Sequence, residues 1–274
     1  MKILIAADME GISGVVNWDQ VTPGHLEYAR CREIYTAEVN AAVQGAFQGG
    51  AKEIIVTDGH DEGYNILLDE LDPRAQLNSG LATAPLSMMQ GVDESCDGAI
   101  FLGYHARAGS ALGVLDHTWN EHILNVWLNE TLVGEFGLNG ALAGHFGVPI
   151  IMVTGDQTAC AQTAELIGDL EQVVVKRATG RFSALCFPRR VGQTAVCAGA
   201  ERALVRLRNG SAPGPWVLES PVRVTVQFHR SDQADRAMRY PGAQRDGTCV
   251  AVTAADMPAA YIAFRSLAAL GSPG

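Results

Sequence analysis

The 274-residue sequence is short of positive charge: twenty Lys and Arg stand against thirty Asp and Glu, giving a formal net charge of −10. A nucleic-acid binder needs a basic face to neutralise phosphates, so that class is excluded. The cysteine pairs of a structural zinc site are also missing. Cys31, Cys96, Cys160, Cys186, Cys197 and Cys249 are scattered, with no CxxC among them. The N-terminus reaches Asp8 and Glu10 before any apolar leader core can form. Together these features read as free, buried thiols in a cytoplasmic protein. Gly11-Ile12-Ser13-Gly14 is too sparse for a dinucleotide fingerprint. There is no internal repeat and no low-complexity tract. One uncharged stretch reaches membrane length, Phe136 to Gly155, but it contains Asn139, His145, Pro149 and five glycines. It reads as a helix followed by a strand, and no membrane partner is expected.

Apolar content is ample. Hydrophobic residues make up 47% of the chain and charged residues 18%, enough for a sizeable core and too apolar for a disordered chain. The first half alternates short aliphatic runs with helical patterns, which predicts a mainly parallel sheet flanked by helices. Strands are expected at Lys2–Ala7, Glu53–Thr57, Gly98–Leu102 and Val148–Thr154, with two more at Ile123–Leu128 and Thr131–Gly134. Helices are expected from Tyr28 to the Gly49-Gly50 stop, from Gly137 to Phe146 and over Gln157–Ile167. The last third predicts a helix at Pro188–Arg208, a loop at 209–215, strands at Val222–Phe228 and Thr248–Val252, and a closing helix at Ala255–Leu270. The expected organisation is therefore an α/β catalytic domain over residues 1–185 and a smaller C-terminal α+β subdomain over 186–274.

The chemistry collects in the first half, and six of the seven histidines lie before residue 146. Asp8 and Glu10, His60, and His105 each lie just beyond a predicted parallel strand. Strand C-termini of a parallel sheet open on one edge, where ligands bind in α/β folds, so residues some fifty positions apart can converge there. Glu135 follows Thr131–Gly134 and can join the same rim. Two histidines and three carboxylates form a mixed N/O set that suits Zn²⁺, Mn²⁺ or Co²⁺. Five ligands exceed the need of one tetrahedral zinc, and Asp8 could bridge two ions. Taken singly, Asp8 and Glu10 also suit a helix cap, and His60 a turn. Their shared position beyond apolar strands is what favours a metal site. His117, in Leu115-Asp116-His117-Thr118-Trp119, is a candidate general acid or base. Gly155-Asp156 lies on the same edge as a candidate support for the site, His122 reads as a loop residue, and His145 as helical surface.

Four blocks carry a family resemblance: Asp8-Met9-Glu10-Gly11-Ile12-Ser13-Gly14, Asp58-Gly59-His60, Phe101-Leu102-Gly103-Tyr104-His105-Ala106-Arg107 and Gly134-Glu135-Phe136-Gly137-Leu138-Asn139. In order and approximate spacing they resemble the D-aminopeptidase DppA family, the M55 metallopeptidases, over nearly the whole chain. The resemblance implies a binuclear zinc centre built from Asp8, Glu10, His60, His105 and Glu135, with His117 catalytic. It also implies a small D-peptide substrate of the D-Ala-D-Ala type and a homodecamer of two stacked pentameric rings around a chamber. Gly59 and Trp119 depart from the family pattern beside the site and bear on substrate preference. The expected chemistry is attack of a metal-activated hydroxide on the scissile carbonyl, with His117 relaying a proton. A binuclear amidase or phosphoesterase is the alternative, and a non-catalytic binder a third reading. Stereochemical choice is expected from walls around Tyr104, Trp119 and Asn139.

Overall fold

Lys2-Ile3-Leu4-Ile5-Ala6-Ala7 is an aliphatic run with no polar alternation, and such a run suits a parallel strand covered on both faces. In the computed structural model, which describes residues 1–81 and 83–272, it forms β1 (Lys2–Ala7), buried from Ile3 to Ala7. The chain continues through α1 (Tyr28–Gly49), β2 (Glu53–Asp58), β3 (Ala75–Asn78), β4 (Gly98–Tyr104), β5 (Ile123–Leu128) and β6 (Thr131–Val133). Next come α2 (Glu135–His145), β7 (Ile150–Asp156), α3 (Gln157–Ile167), β8 (Glu171–Gly180), β9 (Ser183–Cys186) and α4 (Arg189–Arg208). The last elements are β10 (Val222–Phe228), α5 (Ser231–Ala237), β11 (Gln244–Asp246), β12 (Cys249–Ala254) and α6 (Met257–Gly271).

Seven strands make the larger sheet, in the order β3-β2-β1-β4-β7-β8-β9. All its pairings are parallel except the terminal β8–β9 hairpin. Helices α1 and α4 pack together over one face, around Ile3, Ile5, Val39, Ile100 and Leu204. The opposite face, with Leu4, Phe101 and Val153, is covered by α2, α3, α6 and a second sheet. That second sheet is antiparallel, in the order β11-β12-β10-β5-β6. In β10, Val222, Val224, Val226 and Phe228 point inward and alternate with more exposed residues, the signature of a strand with one wet face.

Elements from both sides of residue 185 interleave. The β5–β6 hairpin pairs with β10, while α4 lies against α1 on the parallel sheet. The strands absent from the sequence expectation are β3, β8, β9 and β11. Three of them run only three or four residues, and β8 carries Lys176, Arg177 and two terminal acidic or amide residues that interrupt its apolar core. Cys31, Cys96 and Cys160 are buried as expected, whereas Cys186 is exposed and Cys197 and Cys249 are partly exposed; all six are free thiols.

Two glycines fix where the sheet edge opens. Gly103 sits at φ +71°, and a Cβ there would lie 2.2 Å from the Asp8 carbonyl oxygen. A Cβ on Gly11 would lie 2.1 Å from the Tyr104 carbonyl oxygen. The loop after β1 can therefore lie directly on the end of β4, where the Gly11 amide donates to the Gly103 carbonyl.

Candidate active site

Asp8, Glu10, His60 and His105 emerge at the C-terminal ends of the neighbouring strands β1, β2 and β4, and their side chains converge. Glu135 reaches them from elsewhere. Its strand, β6, belongs to the antiparallel sheet, and Glu135 is the first residue of α2 rather than a residue before it. All five side chains are buried.

The distances divide the cluster around Asp8. His60 Nδ1 lies 3.4 Å from Asp8 Oδ1 and 3.0 Å from Glu10 Oε2. His105 Nε2 lies 3.4 Å from Asp8 Oδ2 and 3.1 Å from Glu135 Oε1. Each Asp8 oxygen thus faces a different histidine and a different second carboxylate. His117 stacks on His105, ring centroids 3.9 Å apart, with its Nε2 3.8 Å from both Glu10 Oε1 and Glu135 Oε1.

The outer nitrogens decide what the inner ones can do. His60 Nε2–H donates to the Val21 carbonyl at 2.7 Å, His105 Nδ1–H to Ala106 at 3.0 Å, and His117 Nδ1–H to Leu115 at 2.8 Å. A neutral imidazole with one N–H committed to a carbonyl presents a lone pair at its other nitrogen. Here all three lone pairs face carboxylate oxygens, an arrangement that is repulsive unless a cation or proton lies between them. The donor set therefore fits a divalent metal centre, with His105, His117 and Glu135, and Asp8, Glu10 and His105, each grouped closely enough to share an ion.

Protonation in the metal-free protein follows the same crowding. Burial, then the adjacent Glu10 charge, pushes Asp8 up to about 7. Burial opposes the charged forms of His60 and His105, yet neighbouring carboxylates outweigh it. Glu10 and Asp8 hold His60 well above the ordinary range, and Glu135 lifts His105 to about 10. Burial likewise opposes ionisation of Glu10 and Glu135, but facing histidines keep both low. His117 moves the other way: burial and then the His105 charge depress it, leaving it neutral at pH 7.

Below the rim lies a second tier of buried groups that hold backbone. Asp58 accepts from the amides of Asn65 and Ile66, closing the loop that carries His60. Asp156 caps α3 through Thr158 and Ala159 and also accepts from the Val114 amide. Asp116 accepts from the amides of Gly109 and Ser110, so the 109–117 segment is tied down at both ends. Lys176, fully buried in β8, donates to the carbonyls of Glu10, Ile12 and Val15. Burial lowers its ammonium to about 8 against the attraction of Asp156 and Glu38. Asp156 was legible as a support from the strand-end pattern. Lys176 was missed, and its signal was a Lys-Arg pair ending the Val173-Val174-Val175 run.

A cavity of about 590 Å³ opens over the cluster, walled by Trp18, Val21, Met88, Trp119 and Arg181. Trp119 is at φ +70°, a left-handed conformation that aims its amide at Glu135 Oε1, 2.7 Å away. Tyr104 and Asn139, expected as walls, are instead buried behind the site. Asn139 donates to the Tyr104 hydroxyl and accepts from Tyr261, which satisfies its amide inside the core. His122 is a partly buried loop residue, and His145 is exposed at the end of α2.

With this geometry in view, the comparisons with known proteins are decisive. The sequence profile of the D-aminopeptidase family, Peptidase_M55, matches residues 1–266. The chain belongs to the M55 D-aminopeptidase family. It is 36% identical over 267 residues to a D-aminopeptidase of Bacillus subtilis (strain 168), spanning 96% of this chain and 95% of the relative. It also superposes on the solved structure of the Zn-dependent D-aminopeptidase DppA from Bacillus subtilis, a self-compartmentalizing protease. That match has a TM-score of 0.95 and 34% identity, covering 99% of this chain and 98% of the other. Family and fold agree with the metallo-aminopeptidase expectation. Among the described residues no helix is long and apolar enough to cross a membrane.

Proposed function

We propose that this M55 family member is a zinc-dependent aminopeptidase that releases an N-terminal D-residue from short peptides. In this reading Asp8, Glu10, His60, His105 and Glu135 hold two zinc ions and His117 serves the reaction beside them. The observation that carries it is the set of imidazole lone pairs aimed at buried carboxylates, each with its other nitrogen already committed. Glu10 and His60 with Asp8 Oδ1 form one half of the site, and Glu135 and His105 with Asp8 Oδ2 the other. Asp8, which faces both histidines, would contribute to both halves. The donor set also suits Mn²⁺ or Co²⁺. Bound zinc supplies acidified water and polarises the scissile carbonyl.

The chain's own residues supply the rest. His117, neutral and held by Leu115, can accept a proton at Nε2 and return it to the leaving amine. Asp61 and Glu62 on the cavity wall favour the substrate's ammonium end. The cavity admits a dipeptide, which spans about 7 Å when extended. Trp119 is the wall proposed to select the D-residue. A homodecamer of two pentameric rings belongs to the same proposal, supported by the likeness to a self-compartmentalizing relative. So does a cytoplasmic setting, supported by six unpaired cysteines.

Dialysis against a chelator is expected to abolish hydrolysis of D-Ala-D-Ala, and added Zn²⁺ to restore it. Undiminished turnover by metal-free protein would sink this reading. Cleavage of phosphate esters but of no dipeptide would favour another binuclear hydrolase.

A further inference from the structure

The cavity over the cluster is lined by six carboxylates, Asp8, Glu10, Asp61, Glu62, Glu121 and Glu135, and, among the described residues, by one Lys or Arg side chain, Arg181. A short peptide has an ammonium at one end and a carboxylate at the other. The acidic wall suits the first and repels the second, so away from the histidines and the metal they would hold, Arg181 is the one cationic group among the described residues that this cavity offers a free carboxylate.

Arg181 is held in place. It forms the turn between β8 and β9, where its carbonyl accepts from the Leu115 amide at 2.9 Å. Its Nε donates to Asp116 Oδ1 at 3.0 Å and its Nη2 to the Asp116 carbonyl at 3.1 Å. Three contacts thus tie it to the residues immediately preceding His117. Its guanidinium also lies over Trp18, 5.9 Å from the ring centroid, and the Trp18 ring edges against His117 at 5.3 Å. Only one indole ring separates the guanidinium from His117, the scale of a dipeptide backbone. A guanidinium has five N–H donors; two are engaged here, which leaves Nη1 for a carboxylate. The side chain is 47% exposed, consistent with a group at the cavity mouth.

We infer that Arg181 binds the C-terminal carboxylate of the substrate and makes this enzyme selective for dipeptides with a free carboxylate. The inference rests on the aminopeptidase reading above and assigns the other end of the same substrate. Longer peptides carry their carboxylate past Arg181, and amidated ones offer it no charge.

The test is a ratio. Zinc-loaded wild type and Arg181→Gln are compared on D-Ala-D-Ala and on D-Ala-D-Ala amide, with zinc content measured for both proteins. The kcat/KM ratio of free acid to amide is expected to fall about 10- to 100-fold in the variant, carried mainly by KM. Arg181→Lys, which keeps the charge and loses the fork, is expected to fall between the two. A ratio that does not change overturns the inference, including the case where both rates drop together because Arg181 merely braces Asp116. Should wild type hydrolyse neither compound, the aminopeptidase reading fails. Calorimetric binding of the same two compounds to the same two proteins then gives the ratio that decides Arg181.

Discussion

In the parallel sheet, β1, β2 and β4 run out into buried acids and imidazoles; in the antiparallel sheet, β10 alternates buried apolar and wetter residues, and no strand runs out into a comparable cluster among the described residues. From residue 189 onward, Gln233 is the one buried polar or charged side chain among the described residues, whereas the first 176 residues bury Asp8, Glu10, Glu38, Asp58, Asp156 and Lys176. Parallel strands all end on one edge, so loops distant in sequence are forced together there. Antiparallel strands end alternately on opposite edges and gather nothing. The second sheet reaches the site by delivering Glu135 on the first turn of α2.

That contrast can be broken from either side. The largest effect is expected at the rim. His117→Ala should lower kcat/KM by about 10²- to 10⁴-fold while zinc content is unchanged, because in the proposed function the other five side chains hold the metal. In wild type, kcat/KM should fall as pH drops below the ordinary imidazole value of 6.5: His117 is depressed, neutral above that range, and gains its proton only in more acid solution. Loss of zinc from the variant would make His117 a ligand instead.

Next is the tier beneath. Lys176→Met leaves the carbonyls of Glu10, Ile12 and Val15 without their buried donor. It should cost about 2–4 kcal/mol in denaturant unfolding and weaken zinc about 10- to 100-fold. Wild-type zinc affinity in this variant would show that the loop after β1 holds itself.

The smallest effect on function is expected in the other sheet. Val226→Ala in the centre of β10 should cost about 1–3 kcal/mol of stability with kcat/KM and zinc content unaltered. A matching loss of activity in folded protein would show that the two sheets are coupled in catalysis.

Much of the site was readable from residue order. An apolar run ending in Asp8-Met9-Glu10, and others ending in Asp58-Gly59-His60 and Tyr104-His105, announce parallel strands that meet at one edge. Glu135 was selected too, but for a reason the fold replaces, since its strand, β6, pairs with β5 in the antiparallel sheet and Glu135 itself opens α2. Tyr104 and Asn139 read as pocket walls because they flank the motifs, yet their polar atoms are satisfied by each other and by Tyr261 inside the core. Lys176 and Arg181 went unseen because β8 and β9 were unseen: Lys176-Arg177 breaks the apolar run of β8, and β9 is only four residues long.

Residue types and their positions beyond apolar runs determine the donor set, the neutral-to-acid character of the cavity and the mainly parallel sheet, since these follow from local composition and the common direction of parallel strands. Long-range packing decides which Asp8 oxygen meets which histidine, that three ring nitrogens spend their protons on backbone carbonyls, and that one arginine from a distant hairpin lines the cavity. Those facts depend on contacts between segments up to 166 residues apart, such as Lys176 with Glu10, and no local pattern encodes them.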